Sequence, residues 1–146
     1  MPTTTRERTI RASQQQLWEV VEDPHHLPRW WPGVRRVEGV QDDHWTNVFM
    51  TRKGRPVRAD FHLLVSERPW RRCWEQEVAG TPFERVLSES IVDVLLSPVD
   101  GGTRVTISQS QKLRGYSRTG GVLLSRATRQ KLDEALDGLE SICGEP

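Results

Sequence analysis

From Val34 to Leu113 the chain alternates apolar and polar residues with a period of two. The interruptions are short clusters of turn formers: Gln41-Asp42-Asp43, Lys53-Gly54-Arg55-Pro56, Arg68-Pro69, Gly80-Thr81-Pro82 and Asp100-Gly101-Gly102. Such alternation places successive side chains on opposite faces of a strand, and turns this short make neighbouring strands antiparallel hairpins. Strands are expected at Val34–Val40, Trp45–Lys53, Pro56–Glu67, Trp70–Ala79, Glu84–Pro98 and Gly102–Leu113, a meander that the extended Thr4 to Arg11 stretch can join as a seventh strand. An amphipathic helix then closes the chain. The order of strand, two short helices, many antiparallel strands and a final helix predicts an α+β domain in which a curved sheet folds around a helix, with a pocket between them.

The faces follow from the same alternation. Val57, Ala59, Phe61, Leu63 and Val65 are expected inward, against Arg58, Asp60, His62 and Ser66 outward; Val105, Ile107 and Gln109 oppose Arg104, Thr106 and Ser108. In the Glu84–Pro98 strand two sets compete for the interior: Val92, Val94 and Leu96, or Leu87, Ile91 and Leu95 with the burial of Glu89 and Asp93. Pairing Leu96 with Val105 across the Asp100-Gly101 turn selects the first.

Ser13 followed three residues later by Gln16 forms a capping box, so the first helix should start near Gln14, bury Leu17, Val20 and Val21, and end near Asp23. Asp23 then caps a second element that carries Pro24 at its first position and Leu27, Trp30 and Trp31 on its buried side; Pro28 reduces it to a distorted turn and Pro32-Gly33 stops it. Arg114 to Gly121 reads as a flexible link. After it a helix to about Cys143 buries Leu124, Thr128, Lys131 or Leu132, Ala135, Leu136, Leu139 and Ile142 or Cys143.

The 146 residues carry 21 basic and 20 acidic side chains, which leaves no broad nucleic-acid footprint, and nucleic acid is not an expected partner. The two cysteines, Cys73 and Cys143, are too few for a disulfide framework and lack metal-ligand spacing. The N-terminal segment shows no apolar leader and no apolar run reaches the ~20 residues that a membrane-spanning helix needs. A soluble cytoplasmic protein without a cofactor or metal is therefore expected. His25-His26 point about 100° apart on a helix and do not clasp one ion; His44 and His62 lie elsewhere. There is no Gly-x-Ser-x-Gly elbow and no Ser/His/Asp spacing. Gly120-Gly121 reads as a hinge rather than an anion site.

Leu17-Trp18-Glu19-Val20-Val21, Asp23-Pro24, and Leu27-Pro28-Arg29-Trp30-Trp31-Pro32-Gly33-Val34 together resemble the amino-terminal signature of the START/SRPBCC superfamily, especially its polyketide cyclase/dehydrase-like branch. The Gly101-Gly102-Thr103-Arg104-Val105 hairpin and the terminal helix are similar to the same family. The resemblance implies one helix-grip domain over residues 1–146, with a seven-stranded curved antiparallel sheet wrapped around the long C-terminal helix and two short helices after the first strand. It also implies a largely apolar cavity that takes a lipid, a polyketide or a related hydrophobic or aromatic molecule. Its motifs fix helix packing and a hairpin; none matches a cyclase active site.

On that arrangement the ligand-lining residues are expected to be Trp45, Phe49, Phe61, Leu63, Trp74, Val92, Val94, Gln109, Tyr116, Leu124 and Thr128. Asn47, Arg72, Gln76, Gln109 and Gln111 share the inward parity, and a dry core tolerates unpaired polar groups poorly, at about 1–3 kcal/mol each. That excess points to a solvated or ligand-filled pocket. If the chain is instead a cyclase/dehydrase-type enzyme, Arg72, Gln76 and Tyr116 are the candidates to orient a poly-β-carbonyl substrate. A third reading is a protein-interaction module using the sheet edge or the tryptophan-rich helices. Either a monomer or a homodimer suits all three.

Overall fold

The period-two segments become one antiparallel sheet in a computed structural model that describes residues 3–51, 53–114 and 118–144. Its strands are β1 (Thr3–Ile10), β2 (Val34–Glu38), β3 (His44–Met50), β4 (Pro56–Glu67), β5 (Arg71–Gln76), β6 (Leu87–Val99) and β7 (Gly102–Leu113). The seven lie in the order β1-β7-β6-β5-β4-β3-β2, so the hairpins from β2 to β7 form a meander and β1 adds to its far side through an antiparallel pairing with β7. Helices α1 (Gln14–Val21) and α2 (Leu27–Trp30) follow β1, and α3 (Arg118–Cys143) ends the chain. This is the helix-grip α+β arrangement.

Local chemistry sets the elements. The Ser13 hydroxyl accepts from the Gln16 backbone N–H while the Gln16 side chain accepts from the Ser13 N–H, closing the capping box of α1. The Asp23 carboxylate accepts from the His25 N–H and starts a single 3-10 turn, Pro24–His26, which leads into the four-residue α2. At the β6–β7 turn Leu96 pairs with Val105, so Val92, Val94 and Leu96 are buried. Asp93, on the opposite face, accepts two hydrogen bonds from Arg71. Gly102 cannot be replaced freely: its φ is +153° and an added Cβ would lie 2.0 Å from the Ile10 carbonyl oxygen, because the end of β1 runs directly over the hairpin.

Three expectations need correction. A bulge between Leu63 and Val65 shifts the register of β4, so that Val65 pairs with Cys73 and Ser66 with Arg72. One extra residue reverses the faces beyond it, which puts Ser66 with inward Arg72 and Val65 on the outer side. The expected link from Arg114 to Gly121 is helical from Arg118, so Gly120-Gly121 sit in the first turn of α3 rather than forming a hinge before it. A helical glycine costs about 1 kcal/mol, and propagation through a 26-residue helix outweighs that local cost. β5 and β6 are also shorter than expected, since the Pro82–Arg85 segment forms a 3-10 turn between them.

α3 packs on β1, β7, α1 and α2. Its Leu132, Ala135, Leu136 and Leu139 enter one core with Ile10, Leu17, Trp18, Val94, Leu96, Val105 and Ile107. Arg6 and Arg8 of β1 tie to Asp133 and Asp137 of α3 across the outside of this contact. α2 approaches more closely still. A Cβ on Gly138 would come within 2.6 Å of the Trp30 Cα, so a glycine lets the backbones of α2 and α3 touch and sets Trp30 and Trp31 over the inner face of the sheet.

Candidate functional site

The tryptophans of α2 meet the sheet at Trp74 of β5. Its ring centroid stands 6.4 Å from that of Trp30, 5.8 Å from Trp31 and 6.1 Å from Trp45, all in edge-on contacts, and Trp45 stacks on Phe61 at 5.9 Å. Edge-to-face aromatic pairs add about 0.5–1.5 kcal/mol beyond their buried area and hold defined orientations. The cluster therefore acts as a rigid wall. Beside it α3 does not fill the space above the middle strands, and a chamber of about 80 Å³ remains.

Leu27 and Trp31 of α2, Asn47 and Phe49 of β3, Phe61 of β4, Trp74 and Gln76 of β5, Ser90 and Val92 of β6, Gln109 of β7 and Lys131 of α3 line it. One half is aromatic and the other is polar. Gln109 donates to the Ser90 hydroxyl at 3.2 Å, while Asn47 Oδ1, Gln76 Nε2 and Gln109 Oε1 are buried and have no hydrogen-bond partner among the described residues. Next to the chamber, Thr128 of α3 donates to Gln111 at 2.9 Å and satisfies that pair. A water's share of liquid volume is about 30 Å³, so the chamber has room for two or three waters or for the polar end of a larger molecule.

Among the described residues, Lys131 brings the only formal charge to the lining of the chamber. Among the described residues it makes no ion pair or hydrogen bond, and burial pushes its ammonium down to about 8. On the same helix Asp133 is engaged by Arg6 and Glu134 accepts from Gln130, both toward the outside. A second hollow, an open apolar groove of about 300 Å³ along Phe49, Met50, Thr51, Val57, Ala59, Gln76 and Phe83, shares Phe49 and Gln76 with the chamber. The two hollows are therefore neighbours, one with amides and an amine in its lining and the other mostly apolar.

Of the residues expected to line a ligand site, the structure gathers Phe49, Phe61, Trp74, Val92 and Gln109 around the chamber, with Gln76 from the catalytic candidates. Trp45 backs the wall through Phe61. Leu63, Val94, Leu124 and Thr128 stand outside the lining, Val94 being wholly buried in the core. Arg72 is buried but lies outside it too: its guanidinium donates to Ser66, and burial lowers its pKa against the opposing pull of Glu22 and Asp23. Tyr116 falls outside the described residues.

Leu27, Trp31, Asn47, Ser90 and Lys131 complete the lining. Asn47 carried a signal in its inward parity and Ser90 in the register that selected Val92. Lys131 had only its place beside Leu132 in the helical stripe. The histidines stay apart. His25 and His26 face Asp23, His44 faces Asp43, and His62 lies between Glu75 and Glu77; among the described residues no group of three His, Cys, Asp or Glu side chains is placed to hold a metal ion. No described helix is long and apolar enough to cross a membrane.

Comparison with known proteins agrees with this fold. A START superfamily protein from Mycobacterium smegmatis superposes with a TM-score of 0.76 at 9% identity, covering 97% of this chain and 96% of that one. A protein from Chromobacterium violaceum gives 0.75 at 14% identity with both chains covered completely. StfQ, a di-domain ARO/CYC from the steffimycin biosynthetic pathway, gives 0.78 at 12% identity over 97% of this chain and 50% of its own. At these identities the likeness is one of fold. No curated protein matches the sequence. The family described as polyketide cyclase / dehydrase and lipid transport matches residues 1–144, and with a match over nearly its whole length the chain belongs to that family.

Proposed function

We propose that the protein is a single-domain binder of a hydrophobic or aromatic small molecule, held between the sheet and α3. The observation that carries this reading is the row of amides at Asn47, Gln76 and Gln109, each with a buried atom lacking a partner, around a hollow walled by Trp31, Phe49, Phe61 and Trp74. A buried polar group without a partner costs about 1–3 kcal/mol, and a ligand that supplies the partners removes that cost. Apolar walls with a few convergent polar groups are the usual composition of a small-molecule site. The chamber alone is about half the size of the ~150 Å³ cavity that admits benzene, so a ligand larger than that extends into the adjoining groove.

A cyclase-type reaction in the same cavity gains less support. Gln76 is in the lining, but Arg72 is held by Ser66 outside it, so the expected orienting groups do not converge. Binding is accordingly the preferred reading. The test is a thermal-shift screen with flat aromatics, fatty acids and sterols, alongside native mass spectrometry of the freshly purified protein. A ligand at 100 times its Kd stabilises a fold by about 2.7 kcal/mol. No shift with any class, and no co-purified molecule, would refute the proposal.

A further inference from the structure

We infer that the chamber recognises a monoanionic oxygen headgroup, a carboxylate that seats against Lys131 while the apolar body of the same molecule leaves past Phe49 into the outer groove. The inference rests on the cavity-binding reading and names the chemistry of the ligand within it.

Lys131 projects from α3 into a space whose other lining side chains are aliphatic, aromatic, amide or hydroxyl. Among the described residues no counter-charge lines the chamber and the amine has no carboxylate partner. A half-buried cation in such a setting is stabilised by an opposite charge arriving with the ligand, and an ammonium–carboxylate hydrogen bond is among the stronger polar contacts. The lining fits the same guest at Gln76, whose unpartnered Nε2 can donate with the Ser90 hydroxyl to the second carboxylate oxygen, while the unpartnered oxygens of Asn47 and Gln109 are acceptors that suit the Lys131 ammonium. A single cation matches a single negative charge; a phosphate dianion would leave one charge uncompensated in the chamber. Phe49 and Gln76 border both the roughly 80 Å³ chamber and the roughly 300 Å³ apolar groove, so the groove lies next to the chamber and offers the body of an amphiphile a place beside its head.

The chain has three lysines, Lys53, Lys112 and Lys131, so amine modification can be read site by site. Decanoate and 2-naphthoate should bind, as followed by tryptophan fluorescence, and should protect Lys131 from reductive methylation while leaving exposed Lys53 and Lys112 reactive. Their neutral counterparts, 1-decanol and 2-naphthylmethanol, should bind more weakly and protect little. Lys131→Met should lose about ten- to a hundredfold in affinity for the acids, the range expected for one charge-assisted hydrogen bond, with little change for the alcohols. Acids and alcohols binding equally well, undiminished acid binding by Lys131→Met, or Lys131 modified at the same rate with and without the acids would overturn the charge assignment and leave the binding reading standing. Failure of acids and alcohols alike to bind would remove both.

Discussion

Replacing Lys131 with methionine should make the empty protein more stable, and should do so only where the amine is charged. Burial holds the Lys131 ammonium at about 8 instead of its ordinary 10.5. At about 1.4 kcal/mol for each tenfold change, the folded state carries a penalty on the order of 3 kcal/mol for keeping that charge at neutral pH. The side chain is half-buried, and water reaching it reduces the effect, so a gain of about 1–3 kcal/mol is expected for Lys131→Met at pH 7. Methionine is flexible and apolar and fills the space without a new polar group. Between about 8 and 10.5 the unfolded chain binds more protons than the folded one, so the wild-type protein recovers stability as pH rises through that window. Cys73, whose thiol burial and the neighbouring Asp93 raise to about 11, titrates over an overlapping range with the opposite sign. The quantity to measure is therefore the difference between the two proteins. Urea unfolding of both at pH 7 and pH 10, followed by tryptophan fluorescence, should show the variant's advantage falling by about two-thirds or more at the higher pH. A variant no more stable at pH 7, or with an equal advantage at both pH values, would refute the claim that the amine is charged and unpaired in the chamber.

Asn47→Leu should also stabilise the empty protein, by about 1 kcal/mol, because it removes a buried amide oxygen without a partner; a loss of stability in thermal unfolding would mean that the amide is satisfied. Leu136→Ala, at a wholly buried site, should cost about 2–5 kcal/mol in the same assay. Gly138→Ala places a Cβ 2.6 Å from the Trp30 backbone and should cost about 1–3 kcal/mol through overpacking, with a changed near-ultraviolet tryptophan signal as α2 is pushed outward; an unchanged spectrum and stability would contradict the close approach. Ser13→Ala removes the capping box of α1 and should cost about 0.5–2 kcal/mol, while Ser13→Asp should recover most of it.

The fold was legible because its signals are local and periodic. Ser13 with Gln16, Asp23 with Pro24, and the pairing of Leu96 with Val105 depend on residues near one another in sequence, and each appears as read. The bulge at Leu64 was not legible, since alternation continues through Leu63 and Val65 and only the pairing with β5 shows that one residue is extra. The start of α3 was hidden for a different reason: Gly120-Gly121 oppose a helix locally, and the long helix behind them prevails. The site was half legible. Parity marks Asn47, Gln76 and Gln109 as inward, but which inward residues border a hollow depends on where α3 lies over the sheet, and sequence alone does not give that distance. Lys131 shows the limit most clearly. A lysine in an amphipathic stripe usually extends its charge to water along the helix surface; that this one borders a chamber follows from how α3 packs on β1 and β7.

The inner face of the sheet is divided along the length of α3. Toward its C-terminal half, Leu132, Leu136 and Leu139 meet Ile10, Leu17, Trp18, Val105 and Ile107 in a dry core. Toward its N-terminal half, Thr128 and Lys131 face Gln111, Gln109 and Ser90, and β3 and β5 add Asn47 and Gln76. Strands β3, β5, β6 and β7 and a helix place polar side chains together around the chamber, although leucine or valine there would make a more stable protein. Substitutions should accordingly change sign along one helix and the sheet beneath it: apolar replacement stabilises the chamber end and weakens binding, whereas truncation at the core end only destabilises. A uniform loss of stability at both ends would mean that the amides and the amine belong to the packing of the protein itself and are not reserved for a guest.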